Sequence, residues 1–310
     1  MIQLYFCAPK TLWQVWQKPL QQALDQLDVA YHLSPDCPDP KIVDYLIYAP
    51  GGPDFDFAPF TGAKAVLGLW AGVEDIAQNP SLQIPFTRMV EPGLCEGMVE
   101  WVSGHVLRHH LGMDQYITGQ DGIWRSKTPP LARERQIVIL GLGVLGQACS
   151  RALADLRFQV SGWSRSAKNL DGITCYHGAD GLDQALTTAE ILVCLLPLTP
   201  ATQHILNTQS LGKLPKAAIV LNPGRGALIE DDALLAALDT GQVGHATLDA
   251  FVTEPLPAAH PFWAHPRITV TPHIAAKTRP KTASLVIAEN VRRGEAGEDF
   301  LYQMDIQAGY

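Results

Sequence analysis

Positive charge is scarce in this sequence. Its 310 residues carry 23 Lys plus Arg against 31 Asp plus Glu, a net charge of −8. Broad nucleic-acid binding needs a cationic face for phosphates, so no nucleic-acid partner is expected. Cysteine is also thin. Cys7, Cys37, Cys95, Cys149, Cys175 and Cys194 include no C-x-x-C pair. That argues against a zinc site or a disulfide frame and for a reducing compartment, so a cytoplasmic location is expected. Long apolar runs are missing. The strongest, Ile191 to Leu196, stops at Pro197, far short of a membrane span. Residues 1–10 lack a basic segment followed by an apolar one, so neither a secretory signal nor a transit peptide is expected there. Low-complexity segments and internal repeats are absent too. What remains is a globular composition, 47% apolar and 17% charged, with length enough for two domains.

The first third alternates short apolar runs with helical spacing. Ile2–Ala8, Val29–Leu33, Tyr45–Tyr48 and Ala65–Leu69 read as strands. Leu12 to Leu27 has helical spacing with an interruption expected at Pro19. Turn-rich pieces lie between, notably Ser34 to Pro40 and Pro50-Gly51-Gly52-Pro53. A long helix is expected from about Cys95 to His110, then a polar loop from Gly119 to Gln136. Beyond it the alternation is cleaner. Ile137–Leu140, Gln159–Trp163, Ile191–Leu196, Ala217–Leu221, Ala246–Asp249 and Ile268–Thr271 read as strands. Val144–Leu156, Leu182–Ala189 and Asp231–Leu238 read as helices. The fold expected is α/β, with two Rossmann-like domains of doubly wound parallel sheet and a cleft between them. A closing helix, Lys277 to Arg293, has no sheet of its own and must pack back on the first third. The substrate domain is therefore expected to be discontinuous, 1–97 plus 276–310, around a dinucleotide-binding domain at 98–275.

The strand Gln136–Leu140 runs into Gly141-Leu142-Gly143-Val144-Leu145-Gly146 and then a helix. The first glycine allows a tight turn, the second lets the backbone approach a pyrophosphate, and the third lets helix and strand pack closely. The helix N-terminus then faces the anion. The next strand ends at Trp163, Ser164, Arg165, Ser166 and Lys168, with no carboxylate before Asp171. A ribose 2′-hydroxyl would call for an acid here, whereas a 2′-phosphate calls for hydroxyls and a guanidinium. NADP(H) is expected over NAD(H).

Several motifs in one order carry a family resemblance. They are Gly68-Leu69-Trp70-Ala71-Gly72-Val73, the glycine loop, Trp163-Ser164-Arg165, Leu196-Pro197-Leu198-Thr199-Pro200, Leu221 to Gly226, Leu248 to Leu256, and Thr271 to Ala276. Together they cover nearly the whole chain, which resembles the D-isomer-specific 2-hydroxyacid dehydrogenase family. The closing Ala308-Gly309-Tyr310 is similar as well. The resemblance implies NADPH-dependent reduction of small 2-oxo acids, glyoxylate to glycolate and hydroxypyruvate to D-glycerate. It makes Arg225 the clasp for the acid and its neighbouring carbonyl, His273 the proton donor, and Glu254 the support of His273. A guanidinium fork and an imidazole titrating near neutrality suit those tasks. It puts Leu196, Pro197, Thr202, Asn222, Pro223 and Ala275 beside the cofactor, and Asp249 at its nicotinamide end. Backbone N–H groups around Trp70, Ala71 and Gly72 would hold the substrate carboxylate, with Tyr48 and Arg88 as weaker candidates at the mouth of the cleft. Trp70 stands where many members carry a small residue, and Glu74-Asp75 where they carry a single Asp. The family dimerises around the helix holding His105 to His110, so a homodimer is expected.

His105 and His109 are four apart on that helix, but the sequence supplies no evident third ligand, so no metal is expected. Two other readings stand beside the reductase. One is a dinucleotide-sensing, corepressor-like binding protein on the same fold, against which the Arg225, Glu254 and His273 set argues. The other is a dehydrogenase for a different 2-hydroxy acid. A short-chain reductase would need a Tyr-x-x-x-Lys pair, which the sequence lacks.

Overall fold

Strands alternate with helices along the chain, and in both sheets neighbouring strands pair in parallel. The structure is a computed structural model that describes residues 1–50, 55–73, 76 and 79–305. The turn residues 51–53, the Glu74-Asp75 pair and the closing 308–310 lie outside the described residues. The chain divides into two compact units, Met1–Leu94 with Thr278–Tyr310, and Cys95–Lys277.

In the first unit, β1 (Ile2–Cys7), β2 (Tyr31–Ser34), β3 (Tyr45–Tyr48), β4 (Ala65–Gly68) and β5 (Phe86–Thr87) form a sheet in the order β2-β1-β3-β4-β5. The strand order reverses between β1 and β3, the arrangement of a doubly wound sheet. Helix α1 (Lys10–Leu24) buries Trp16, Leu20, Ala23 and Leu24, a stripe at helical spacing. The closing helix, Pro280–Ala296, sends Ala283, Ile287, Ala288 and Val291 into the same core, with Leu4, Phe6, Tyr45 and Ile47.

The break expected at Pro19 is absent, because α1 runs straight through it. A proline frees the carbonyl four residues earlier. Here that residue is Val15, on the exposed face of the helix at 56% exposure, where solvent can satisfy a freed carbonyl. Strands β5 and β8 (Thr174–His177) were not expected from the sequence. The first has two residues and the second is an edge strand with exposed ends, so neither leaves an apolar run.

The second unit has the helices α2 (Pro92–Leu111, whose first turn precedes the unit), α3 (Asp114–Ile117), α4 (Val144–Asp155), α5 (Gly178–Thr188), α6 (Thr208–Gly212) and α7 (Asp231–Asp239). Its other strands are β6 (Gln136–Leu140), β7 (Gln159–Ser164), β9 (Ile191–Cys194), β10 (Ala218–Asn222), β11 (Val243–Leu248) and β12 (Ile268–Val270). The sheet order is β12-β11-β10-β9-β6-β7-β8. The chain leaves β6 toward β7 on one side and later returns to lay β9 on the other. That reversal opens a crevice beyond the carboxyl ends of β6 and β9, where such sheets bind ligands. Both faces are covered, so the central strands are apolar throughout. Ile137, Ile139, Ile191 and Val193 pack under Met98, Val102 and Val106 of α2 and Cys149 and Leu153 of α4. Val138, Leu140, Leu192 and Cys194 pack on the opposite face with Leu186 of α5, Leu211 of α6 and Leu234 of α7. The two-residue alternation of side chains along a strand produces this division.

One polar tie crosses the first unit. The buried Tyr45 donates its hydroxyl to Glu295 Oε1 at 2.8 Å, and Lys64 Nζ donates to the same oxygen at 2.7 Å. Burial alone would raise the Glu295 carboxyl, but the bonds from Lys64 and Tyr45 outweigh it and hold it below its ordinary value. A carboxyl lowered in the folded state stabilises above its unfolded pKa, near ~4.3, and loses that contribution as pH falls through the folded value. Glu295→Gln is therefore expected to cost about 1 kcal/mol at pH 7. Urea denaturation of both proteins should show that difference shrinking as the pH drops below about 4; a constant difference would refute the assignment.

Candidate active site

The loop after β6 is shaped for an anion. Gly141 has φ +106°, and a Cβ there would sit 2.6 Å from the Leu195 carbonyl oxygen. A Cβ at Gly146 would lie 1.7 Å from the Gly141 carbonyl oxygen, so only glycine lets α4 start this close to β6. Gly143 differs, because a Cβ there would meet nothing within 4 Å. Gly143 is also the N-cap of α4. No side chain caps that end and its first turn holds no acid, so its N–H groups suit a bound phosphate. Val144 is exposed at the mouth of this loop, while Leu145 packs toward the core beneath it.

Beyond β7 the chain exposes Arg165, Ser166 and Lys168. Ser164 is buried, and its hydroxyl donates to the Ser166 carbonyl at 2.8 Å. Trp163 is buried in the core and its indole N–H donates to the Gly178 carbonyl at 2.8 Å. After β9, Leu196 is buried and Thr202 closes the turn, donating to the Pro197 carbonyl at 2.7 Å and accepting from the Thr199 N–H at 2.8 Å.

Arg225 follows β10 and its position is set from both sides. Asn222 accepts from the Gly224 N–H at 3.2 Å and donates to the Arg225 carbonyl at 2.9 Å, with Pro223 buried between them. Arg225 Nη1 donates to the Gly224 carbonyl at 2.8 Å. On the other side, a Cβ on Gly226 would fall 2.1 Å from the Phe251 carbonyl carbon. The absence of a side chain there lets the Arg225 turn lie directly on the loop that carries Glu254.

Glu254 and His273 meet at 2.7 Å, Oε2 to Nδ1. The other Glu254 oxygen accepts the Phe251 N–H at 2.9 Å, so the carboxylate is fixed at both ends. An ionised carboxylate only accepts, which places a hydrogen on Nδ1 and turns Nε2 away from Glu254. The pair is partly open to solvent, with His273 46% and Glu254 35% exposed. His273 has φ +52°, a left-handed conformation unusual outside glycine. Its N–H donates to the carbonyls of Asp249, at 2.9 Å, and Thr271, at 3.0 Å.

Asp249, expected at the nicotinamide end of a cofactor, is wholly buried. Its Oδ1 accepts the Thr271 hydroxyl at 2.5 Å and the Ile274 N–H at 2.9 Å, and its Oδ2 accepts the Ala275 N–H at 2.9 Å. The structure therefore makes Asp249 an anchor of the loop that bears His273, and Ala275 is buried with it. Sequence reading missed Thr271, Gly226 and the Phe251 N–H. A Thr two residues before the His and a Gly directly after the Arg were the signals available. In the first unit, Trp70, Ala71 and Gly72 follow β4. The Trp70 ring packs edge-on to Trp16, with centroids 6.4 Å apart. Tyr48 ends β3 among Phe55, Phe57 and Phe86, and Arg88 follows β5.

Residues 104–275 match the family model of the D-isomer specific 2-hydroxyacid dehydrogenase, NAD binding domain. Glyoxylate/hydroxypyruvate reductase A of Serratia proteamaculans (strain 568) is 39% identical over 305 residues, 95% of this chain and 96% of the relative. The chain belongs to the D-isomer specific 2-hydroxyacid dehydrogenase family. The resemblance carried by its motifs is borne out, and so is its doubly wound α/β class. Two crystal structures extend the match across this 2-hydroxyacid dehydrogenase. A D-isomer specific 2-hydroxyacid dehydrogenase from Xanthobacter autotrophicus Py2, in complex with NADPH and MES, is 38% identical with a TM-score of 0.90, covering 100% of this chain and 99% of that one. An NADPH-dependent glyoxylate/hydroxypyruvate reductase from Sinorhizobium meliloti, in complex with NADP and sulfate, is 31% identical with a TM-score of 0.88, covering 100% of both chains.

The loop geometry carries its own test. Asp249→Asn would turn an amide N–H₂ toward at least one of three donors. Stability in urea should fall by about 1–3 kcal/mol, the cost of a buried unsatisfied polar group. An unchanged midpoint would remove Asp249 from the anchoring role.

Proposed function

We propose that this 2-hydroxyacid dehydrogenase reduces glyoxylate and hydroxypyruvate with NADPH, giving glycolate and D-glycerate. The observation that carries the reading is the His273–Glu254 pair at 2.7 Å, on a loop next to the Arg225 turn and at the same sheet edge as the glycine loop. The names of the similar reductases support the substrate class. The open space over Gly143 and the uncapped start of α4 fit a dinucleotide pyrophosphate. Arg165, Ser166 and Lys168, all exposed after β7, suit a 2′-phosphate and favour NADP(H), with NAD(H) weaker.

NADPH, when bound, supplies the hydride for the carbonyl carbon. Arg225 clasps the carboxylate and draws electron density from the carbonyl oxygen. His273 gives its Nε2 proton to that oxygen as the alcohol forms. Glu254 holds the Nδ1 hydrogen and with it the ring's orientation. All six cysteines are thiols, which supports a reducing cytoplasmic setting. Among the described residues no helix is long and apolar enough to cross a membrane.

Purified protein is expected to oxidise NADPH with either acid and to use NADH less well. His273→Gln should lower kcat by about 10²–10⁴-fold. Arg165→Ala should weaken NADPH at least about tenfold, the worth of one charge-assisted bond, and leave NADH nearly unchanged. A preference for NADH would defeat the cofactor assignment, and inertness toward both acids would defeat the substrate assignment.

We also place the chain in a homodimer. The segment after α3 is exposed along residues 118–128 and carries Ile123 and Trp124, the latter 93% exposed. A monomer seldom leaves such apolar surface in water. Light scattering should report a dimer, and Trp124→Ser should shift it toward monomer.

A further inference from the structure

Two histidines and an aspartate converge in the second unit, none of them part of the Arg225, Glu254 and His273 set. His109 lies in the last turn of α2, Asp114 opens α3, and His245 lies in β11. Each offers one ligand atom, and these three atoms all lie within 4.8 Å of one another. The residues are half-buried. Each imidazole is held by its Nε2. His109 Nε2 is 2.9 Å from the Thr247 hydroxyl, and His245 Nε2 is 2.9 Å from the Thr269 hydroxyl. That leaves the Nδ1 atoms of two neighbouring rings, whose centroids are 4.8 Å apart. The Asp114 carboxylate is oriented by Arg108, Nε to Oδ1 at 2.6 Å and Nη2 to Oδ2 at 2.9 Å. Each carboxylate oxygen keeps a second lone pair.

Metal centres are assembled in this manner, with outer hydrogen bonds fixing the ring and carboxylate that coordinate. We propose that His109, Asp114 and His245 bind a divalent transition-metal ion of the zinc type, with solvent completing the shell. Two imidazoles and one carboxylate suit such an ion, whereas calcium and magnesium call for oxygen ligands. Asp114 and Arg108 cancel in charge, so the donor geometry holds the ion, not an anionic field. His245 precedes Asp249 by four residues, about 13 Å along an extended chain. The ion therefore ties α2 and α3 to β11 and takes no part in the reduction.

The test is a Co²⁺ titration of the full-length protein after chelator treatment, read by visible absorption. A d–d band saturating at one equivalent and displaced by Zn²⁺ is expected. His109→Asn and His245→Asn should each weaken Co²⁺ at least tenfold, and His273→Asn should not. Zn²⁺ should raise the Tm of the wild-type protein but not of Asp114→Asn, which serves if a histidine variant fails to fold. No band in the wild-type protein overturns the site, and so does a band that survives His245→Asn but disappears in His273→Asn.

Discussion

A sheet whose strands all run one way delivers every strand's last residue to the same edge. In the second unit that edge gathers the glycine loop after β6, Arg165 after β7, Pro197 after β9, Arg225 after β10, Asp249 after β11 and His273 after β12. No single loop could collect an anion-binding helix start, a guanidinium and an imidazole–carboxylate pair. Parallel strands do so because each helix carries the chain back to begin the next strand from the opposite edge. The catalytic reading thus depends on hydrogen-bonded register across seven strands more than on any one loop.

Within that edge, contact between loops does the finer positioning. Gly226 lets the Arg225 turn touch the backbone at Phe251. The Phe251 N–H fixes one Glu254 oxygen, and the other meets His273. Asp249 gathers Thr271, Ile274 and Ala275 from behind. Backbone amides supply much of this ordering, and they are stiffer supports than long side chains because fewer rotatable bonds separate them from the sheet.

Much of this was legible in the sequence. Buried parallel strands leave apolar runs such as Ile137 to Leu140, and three glycines at fixed offsets leave little freedom of interpretation. The family followed from several motifs in one order. What stayed hidden was partnership across distance. Helical spacing pairs His109 with His105, yet His105 lies against Trp101, at a 4.4 Å centroid separation, while His109 faces His245. Asp249 reads as a strand-end acid, and only the return of the chain after β12 supplies the Thr271, Ile274 and Ala275 donors that it holds. Pro19 reads as a break because sequence does not report that Val15 faces water.

The left-handed backbone at His273 sets two kinds of fitness against each other. Such a conformation costs a non-glycine residue roughly 1–2 kcal/mol. Glycine or asparagine would relax the turn, and random substitution screened for thermal robustness alone would favour them. Either replacement discards the imidazole. With the proton-donating role proposed for His273, selection for turnover holds this position against a steady pull toward a more comfortable residue. Ancestral or consensus stabilisation of this enzyme would have to leave that one turn uncomfortable.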